Sequence, residues 1–514
     1  MRRTPQPDTS SRAPEAPSAA IRGSSLLLIG RFLAIGAGVL IQILIVRYLP
    51  QSAFGAFSYC IAVVNLATIA VSLGMEQTMS RFAAIYDETG QRSRLSGAIL
   101  VYLGVVLALG AVAVGTAFLG RDELSRLIIH DPQTAELLAV MMLLAPLQAF
   151  DTLSSTLFAV YGRPAAIFWR RYVITPVLRI GVVIVMLVLN ESVFLLGTGY
   201  VLATLTGVLI YLPPLVRLLR RRGVIARGLR PVLPVRELMT FTGTAVFADL
   251  LAVVLFASDA IIVGWLAGPT GVALLQATQP LANGNLVIFY AIIPLFIPTA
   301  ARLFSGGARK RAEELYATCS LWIAVFSFPV AALTIGCSAT ITEAFFGHRY
   351  AAAAPILALL SAGQYVLAVF GLSGLTLKAH GKLRNLAVAN VMATVVNVGA
   401  NILLVQRYGP YGAALGTAVA IALLTVAKCF IVWRDLGIWP VDGRFARVLV
   451  RVVVLGGAVT IFNGVLHPSL LVDLLAVTAA SALLLWSSRR ELRVLEVFPE
   501  AGRNGILHRL LAAG

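Results

Sequence analysis

Charged residues are scarce in this sequence, and acidic residues are the scarcest. Only 12% of the 514 residues are Asp, Glu, Lys or Arg, whereas 59% are hydrophobic. A chain with so little charge cannot cover a water-soluble fold with polar surface. The composition therefore excludes a soluble globular protein and indicates a protein that lies in a bilayer.

The shortage of acids leaves a large positive charge. The chain has 23 acidic residues against 41 basic ones, a formal net charge of +18. In a soluble protein such a balance would suggest a nucleic-acid partner. In a multispanning protein Lys and Arg accumulate in the cytoplasmic loops, which explains the charge without such a partner. We therefore expect no nucleic acid to bind.

Motifs for redox, metal and nucleotide chemistry are also missing. No GxxxxGK[ST] motif is present, so the chain is not expected to hydrolyse nucleotides. The external loops are short, and the first, residues 50–53, has no acid, which disfavours a membrane glycosyl-transfer enzyme. We expect no catalytic residue, metal or cofactor. The cysteines lie in or beside apolar segments without metal-ligand spacing and are interpreted as packing residues: Cys60, Cys319, Cys337 and Cys429.

Apolar sequence, in contrast, is abundant in stretches of about 20 residues, the length that crosses a bilayer as a helix. The fold class is therefore all-α, a multispanning membrane protein with about 14 transmembrane helices. Residues 1–23, rich in Pro, Ser and Arg, predict a disordered tail. The predicted spans are 24–49, 55–76, 95–119, 136–160, 171–190, 193–216, 238–265, 271–297, 314–337, 353–376, 385–405, 412–433, 446–466 and 470–487.

A basic linker, residues 217–237, divides the spans into two similar halves. Glycines and arginines recur at a repeat-length offset, which indicates a duplicated membrane protein. Most Lys and Arg fall on one side if both termini are cytoplasmic. The predicted domains are lobes 24–216 and 238–433, an extra helix pair 446–487 and a cytoplasmic tail 488–514. The aligned pairs are Gly55 with Gly271, Arg81 with Arg302, and Gly162 with Gly381.

Several blocks resemble the polysaccharide flippase branch of the multidrug/oligosaccharidyl-lipid/polysaccharide exporter superfamily. They include RYLPQSAFGAFSYC, SDAIIVGWLAGPTGVALLQATQPLA, IPLFIPTAARLFSGGARKRAEELY, EAFFGHRYAAAAPILALLSAG and NVMATVVNVGANILLVQRYGPYGAALGTAVA. Their order and spacing cover most of residues 25–435. The resemblance implies two six-helix lobes related by an internal repeat, plus two C-terminal helices.

The resemblance also implies a function in the bacterial inner membrane. It predicts a flippase that moves undecaprenyl-diphosphate-linked oligosaccharide by alternating access, for surface polysaccharide, exopolysaccharide or O-antigen biosynthesis. Polysaccharide polymerase or assembly proteins are the implied partners. The alternatives are a lipid II flippase, a drug or cation antiporter of the same superfamily, and a membrane glycosyl-transfer enzyme. The 446–487 pair argues against the antiporter, since that branch usually has twelve spans.

Three charged residues are predicted at similar depth in the cytoplasmic half of the N-terminal lobe. Arg31 and Arg179 lie about 10 and 12 Å along their spans, and Asp151 reaches a comparable depth. A charge within the bilayer costs at least about 2.5 kcal/mol. We interpret Arg31 and Arg179 as ligands of a lipid diphosphate, with Asp151 holding them when no substrate is bound. The alternative is that both arginines extend to the membrane interface.

Asp249 and Asp259 share the seventh span at two depths. A carboxyl group that can take up a proton is a candidate for coupling to H⁺ or Na⁺, or for a gate that pairs with an arginine. The alternative is a static hydrogen bond between helices.

Uncharged polar residues form stripes on single helix faces, as their spacings of three, four and seven show. A water-filled path for sugar hydroxyls would have such faces, although interhelical hydrogen bonds would too. The predicted cavity residues are Gln42, Asn65, Gln276, Gln279, Asn283, Asn390, Asn397 and Asn401.

Overall fold

The computed structural model describes residues 17–124, 131–189, 192–226, 228–439, 441–466 and 469–492. Within these ranges the side chains of residues 17–29, 31–32, 124, 244–256 and 383 are outside the description. The regular structure in the described ranges is helical throughout, which confirms the all-α prediction.

The first lobe consists of helices joined by tight turns or helical distortions. A π-helical segment, Phe168–Ile174, connects two of them into one rod. The helices are α1 (Pro17–Tyr48), α2 (Gln51–Ser72), α3 (Glu76–Glu88), α4 (Arg92–Leu119), α5 (Arg121–Leu124), α6 (Pro132–Met141), α7 (Leu144–Val160), α8 (Pro164–Ile167), α9 (Thr175–Leu189) and α10 (Val193–Arg221).

The second lobe and the C-terminal helices follow the linker. A second π-helical segment, Ala332–Gly336, extends one of the helices. The helices are α11 (Val235–Asn283), α12 (Val287–Ser305), α13 (Arg309–Ala331), α14 (Ser338–Phe346), α15 (Ala354–Phe370), α16 (Leu372–Ala379), α17 (Leu383–Tyr408), α18 (Pro410–Leu436), α19 (Gly443–Leu466), α20 (Leu470–Ser487) and α21 (Arg489–Leu492).

Twelve of the fourteen predicted spans have counterparts among the described residues. In the described residues, 12 helical stretches are long and apolar enough to cross a membrane. They coincide with every predicted span except 24–49 and 238–265, which contain side chains outside the description. Those two predicted spans correspond to α1 and to the first part of α11.

Glycines mark the points where one helix stops and the next begins. Gly268, with φ 70° and ψ −179°, divides α11 into two arms, and Pro269 starts the second arm. Gly162 and Gly381, which the repeat aligns, both have positive φ, at 63° and 83°. These angles suit glycine because it lacks a Cβ atom. The two halves of the repeat therefore end matching helices in the same way.

The lobes meet along α2 and α11. At Gly55 an added Cβ would lie 1.7 Å from the carbonyl oxygen of Pro269, so only glycine permits this approach. At the other end of the seam, the Tyr86 hydroxyl donates to Glu237 at 3.0 Å. Tyr86 belongs to α3, so α11 contacts α2 at Gly55 and α3 at Glu237, at the two ends of the seam.

Two predicted boundaries differ from the structure. Helix α1 begins at Pro17, before the predicted start at Ser24, while residues 1–16 lie outside the description. The linker outside helices is limited to residues 222–234, because α10 continues to Arg221 and α11 begins at Val235. The Val232 N–H donates to the Ser93 carbonyl at 3.0 Å, which fixes the linker against α4. We call this side of the bundle the linker end.

Candidate functional site

Three cavities lie along the polar helix faces. The arginine cavity, about 810 Å³, is formed by α2, α3, α7, α8 and the first π-helical segment. The central cavity, about 490 Å³, lies between α1 and α2 of one lobe and α11 of the other. The Asp259 cavity, about 510 Å³, shares Gln279, Pro280 and Asn283 with the central cavity. The last two cavities are therefore contiguous.

Two arginines that the sequence analysis did not select as site residues line the arginine cavity. Arg81 of α3 and Arg171 of the π-helical segment line it together with Glu76, Gln77 and Ser72. Arg81 also lies over the Phe241 ring, 4.7 Å from its centroid, and so contacts the second lobe. An open cavity with two guanidinium groups can receive an anion, because each group presents several N–H donors in a fixed plane.

The central cavity collects predicted stripe residues from both lobes. Gln42 and Asn65 face Gln276, Gln279 and Asn283 across it. Gln42 Nε2 also donates to the Gln276 carbonyl at 3.2 Å. Amide side chains carry both donors and acceptors, which suits sugar hydroxyl groups.

Asp259 lies in a buried hydrogen-bond network with two other helices. Its side chain belongs to a residue only 1% exposed, and it accepts from Asn401 Nδ2 at 2.6 Å and from Thr417 Oγ1 at 2.7 Å. Asn397 donates to Thr417 at 3.1 Å and accepts from Ser258 at 3.1 Å. The carboxyl group thus has only neutral hydrogen-bond partners in this network.

One oxygen of the network has no donor. Asn401 Oδ1 is buried and, within the described part of the chain, accepts no hydrogen bond. Carboxylate, amide and hydroxyl oxygens together are ligands that hard cations prefer. Among the described residues, no cluster of three His, Cys, Asp or Glu side chains could hold a metal ion. Asn390, the third member of the predicted α17 stripe, lines none of the three cavities.

Asp151 pairs with an arginine other than the predicted ones. Arg170 Nη2 lies 2.7 Å from Asp151 Oδ1, and the Arg170 side chain is 4% exposed. Arg170 Nη1 also donates to Thr175 Oγ1 at 2.7 Å. Its guanidinium lies 5.6 Å from the Tyr211 ring centroid. The sequence analysis grouped Asp151 with Arg31 and Arg179, whereas the ion pair that the structure shows for Asp151 is with Arg170, nine residues before Arg179 on the same rod.

A glycine on α10 makes space for this arginine. A Cβ added at Gly207 would lie 2.3 Å from Arg170 Nη1. The π-helical turn that carries Arg170 is a helical irregularity of the kind common at functional sites. The sequence contained one signal for this site, the adjacent pair Arg170 and Arg171 at the start of an apolar span.

The other predicted charges are placed as follows. Arg179 lies over the Tyr200 ring at 5.1 Å from its centroid, and it lines none of the three cavities. Its Nε is buried and has no hydrogen-bond partner among the described residues. The Arg31 and Asp249 side chains lie outside the described residues. Gly30, next to Arg31, packs against Tyr172 of the same π-helical segment, since a Cβ there would meet that ring at 2.3 Å.

At the end opposite the linker, two arginines join the lobes reciprocally. Arg47, near the end of α1, donates from Nε to the Phe345 carbonyl at 2.8 Å and from Nη2 to the Ala344 carbonyl. Arg349 donates to the carbonyls of Val46 and Arg47. Helix C-termini carry carbonyls without partners and a partial negative charge. Each arginine therefore satisfies the end of a helix in the opposite lobe, and we call these contacts the arginine clasp.

Two lobes of membrane-crossing helices with polar cavities between them are the architecture of a multi-pass membrane transporter. The comparisons with known proteins agree. The model of the polysaccharide biosynthesis protein family matches residues 20–304, more than half of the chain. The chain belongs to this family, and the resemblance predicted from the sequence is confirmed. No curated protein sequence matches it significantly.

Solved transporter structures share the fold at low sequence identity. An inward closed structure of the lipid II flippase MurJ is 13% identical with a TM-score of 0.66, covering 92% of this chain and 99% of that one. An inward-facing multidrug resistance MATE family transporter of the MOP superfamily is 15% identical, with a TM-score of 0.66, covering 82% and 98%. An outward-facing MATE structure has a TM-score of 0.56 at 15% identity, covering 82% and 95%. This chain therefore shares the fold of these solved transporter structures.

Proposed function

We propose that the protein is a flippase for undecaprenyl-diphosphate-linked oligosaccharide in a bacterial inner membrane. The observation that carries the proposal is the pairing of a cationic cavity with an amide-lined one along the same polar helix face. Ser72 of α2 lines the arginine cavity, and Asn65 of α2 lines the central cavity. A substrate with an anionic diphosphate and a neutral sugar chain needs both chemistries.

The diphosphate binds in the arginine cavity in this proposal. Arg81 and Arg171 supply the charge, because both line the cavity and both are exposed to it. We propose Arg31 as a third ligand, since Gly30 packs against the segment that carries Arg171. Arg179 receives a packing role against Tyr200 instead.

The sugar chain passes along the central cavity. Gln42, Gln276 and Gln279 can exchange hydrogen bonds with hydroxyl groups at little cost, because an amide side chain offers two donors and an acceptor. The lipid tail stays in the bilayer, which removes the need for an apolar path through the protein. The lobes open alternately to the two sides, and the clasp between Arg47 and α14 holds the outer side closed.

We propose the Asp259 network as the site of the coupling ion. Its oxygens could bind Na⁺, and the carboxyl group could carry H⁺ instead. Asp259 and Gln279 line one cavity, and Gln279 also lines the central cavity. An ion at Asp259 could therefore change the wall that the sugar contacts. Asp249 remains a second candidate for the same role.

The orientation follows from the charge distribution. The linker end carries Arg220, Arg221 and Arg222, and positively charged loops stay in the cytoplasm. Both termini then lie in the cytoplasm, and the arginine cavity faces the side where lipid-linked sugars are assembled. Polymerase or assembly proteins on the outer side would receive the product.

Transport in proteoliposomes tests the proposal. The full chain is reconstituted with fluorescent undecaprenyl-diphosphate-linked oligosaccharide, and an impermeant quencher reports the fraction in each leaflet. We expect movement well above protein-free vesicles. Lipid II and a cationic drug serve as competing substrates in parallel vesicles. If the protein moved lipid II or the drug but not the oligosaccharide lipid, that competitor would be the substrate instead. If it moved none of the three, the flippase assignment would be refuted.

A further inference from the structure

A strongly basic pocket lies outside both lobes, between the C-terminal helices. It has a volume of about 540 Å³ and is located where α19 begins and α20 ends, at the linker end. Neither the diphosphate site nor the ion site proposed above uses any of its residues. The lining residues are Arg444, Arg447, Arg451, Trp486, Ser487, Arg489, Arg490 and Glu491.

The charges of this pocket do not balance. Arg444 pairs with Asp442 at 3.0 Å, and Arg451 and Arg447 pair with Glu491 at 3.1 and 3.5 Å. Within the described residues, Arg447 and Arg451 share the single carboxylate of Glu491, and Arg490 lines the same pocket, so these three arginines carry two more positive charges than Glu491 balances. An uncompensated set of guanidinium groups attracts an anion.

The arginines are held in place by other protein groups. Glu491 is 9% exposed at its side chain, and Arg451 Nη1 also donates to Ser488 Oγ at 3.3 Å. Burial alone would raise the pKa of Glu491, but hydrogen bonds from Arg451 and Arg447 hold that pKa below its ordinary value. The carboxylate therefore stays charged at neutral pH and fixes both guanidinium groups. This pocket is built by hydrogen bonds and differs from a set of freely moving surface arginines.

A second observation concerns the same carboxylate. Glu491 Oε2 is buried and accepts no hydrogen bond from any residue that the structure describes. A buried acceptor without a donor costs roughly 1 to 3 kcal/mol. A ligand with a hydroxyl group would satisfy it. The pocket thus offers guanidinium donors to a phosphate and a carboxylate acceptor to a hydroxyl group of the same molecule.

The surroundings of the pocket are those of a lipid headgroup. Trp486 is 57% exposed, and Arg489 lies 5.2 Å from its ring centroid. Tryptophan is enriched at the membrane interface. Phe445, next to Arg444, packs on Phe370, with 5.5 Å between the two ring centroids. Phe370 in turn lines an apolar groove of about 440 Å³ that could hold an acyl chain.

We propose that this pocket binds the glycerophosphate headgroup of an anionic phospholipid, of the phosphatidylglycerol type. The phosphate lies among Arg447, Arg451 and Arg490, and a glycerol hydroxyl donates to Glu491. Basic pockets between membrane helices on the cytoplasmic side are suited to such headgroups. The lipid would anchor the C-terminal helix pair to the leaflet at the linker end.

Native mass spectrometry of the full chain in detergent tests this assignment. The protein is titrated with phosphatidylglycerol, with phosphatidylmethanol, which has the same charge without the hydroxyl, and with neutral phosphatidylcholine. We expect phosphatidylglycerol to bind most tightly and phosphatidylcholine least. Equal affinity for phosphatidylglycerol and phosphatidylmethanol would overturn the role of Glu491. Tighter binding of undecaprenyl diphosphate than of phosphatidylglycerol would show that the pocket belongs to the substrate.

The test variant is Arg447→Gln with Arg490→Gln, which leaves the Arg451–Glu491 pair intact and so preserves the fold. Its affinity for phosphatidylglycerol should fall about 25-fold, at about five-fold for each arginine near a membrane surface. The matched control is Arg220→Gln with Arg221→Gln, two arginines at the linker end outside this pocket. An equal loss in the control would refute a specific site. This experiment measures lipid binding and not transport, so its outcome is independent of the flippase assignment.

Discussion

Arg170 and Asp151 form an ion pair with 2.7 Å between Nη2 and Oδ1, in which the arginine side chain is 4% exposed and the aspartate side chain 31%. The two partners therefore differ in how they tolerate loss of the other. A buried guanidinium has no water to replace its carboxylate, whereas Asp151 can be hydrated.

Asp151→Asn should destabilise the protein more than Arg170→Met does. Breaking a fully buried pair costs about 3 to 5 kcal/mol, and the exposure of Asp151 reduces this to roughly 2 kcal/mol. Arg170→Met keeps the packing volume and should cost roughly half as much. Chemical unfolding in detergent measures both. Equal stability of the Asp151→Asn variant and the native protein would show that Arg170 does not depend on this pair.

Gly207→Ala should destabilise the same region without changing a charge. The new Cβ would lie 2.3 Å from Arg170 Nη1, so the guanidinium must move away from Asp151 or α10 must shift. We expect a loss of about 1 to 2 kcal/mol, as in other overpacked sites. Gly104→Ala on α4 is the control, because nothing lies within 4 Å of a Cβ there. A control variant as unstable as Gly207→Ala would point to a general helix effect.

Arg81→Ala and Arg171→Ala should each reduce transport of the lipid-linked oligosaccharide about tenfold. Stability should change little in Arg171→Ala and fall by about 0.5 to 1 kcal/mol in Arg81→Ala, which also loses the exposed contact with the Phe241 ring. A charged hydrogen bond to a phosphate is worth about 1.5 to 3 kcal/mol, and both arginines are exposed to the cavity. Arg179→Ala should behave in the opposite way, with transport retained and stability lowered by about 1 kcal/mol through loss of the contact with Tyr200.

Initial transport rates and unfolding curves for the three variants distinguish these roles. If only the Arg179→Ala variant lost transport, Arg179 would bind the diphosphate, as the sequence analysis proposed.

Asp259→Asn should abolish ion-dependent stabilisation. If Na⁺ binds the network, a concentration ten times the Kd raises the free energy of unfolding by about 1.4 kcal/mol. The measurement compares unfolding in NaCl with unfolding in choline chloride, and transport with and without a proton gradient tests H⁺. Asn390→Ala is the control, since Asn390 lines none of the cavities. A Na⁺ or H⁺ effect that persists in the Asp259→Asn variant would place the coupling ion elsewhere.

The sequence was sufficient to predict the all-helical class and the twelve spans found among the described residues. Span positions depend on the length of apolar stretches and the thickness of the bilayer, both of which are local properties. The polar stripe on α17 was predicted for the same reason, because spacing places Asn397 and Asn401 on one helix face. Their contact with Asp259 required three helices to be packed together, which no single stretch of sequence encodes.

The partner of Asp151 could not be predicted from regular helix geometry. The π-helical segment Phe168–Ile174 changes the rotation and rise of the rod, so depth estimates along an ideal helix do not identify which arginine faces α7. Arg81 and Arg171 were missed for a different reason. Both lie near the ends of spans, where a positive charge is ordinary, and only the packed structure places them on one cavity wall.

The arginine clasp joins two lobes without any acidic side chain. Arg47 and Arg349 use carbonyl groups that every helix terminus exposes, so the contact keeps its full strength whether the surroundings are acidic or neutral. Water can take over those carbonyls as soon as the helix ends separate. The clasp can therefore open through movement of the lobes alone, without a change in the protonation of either arginine.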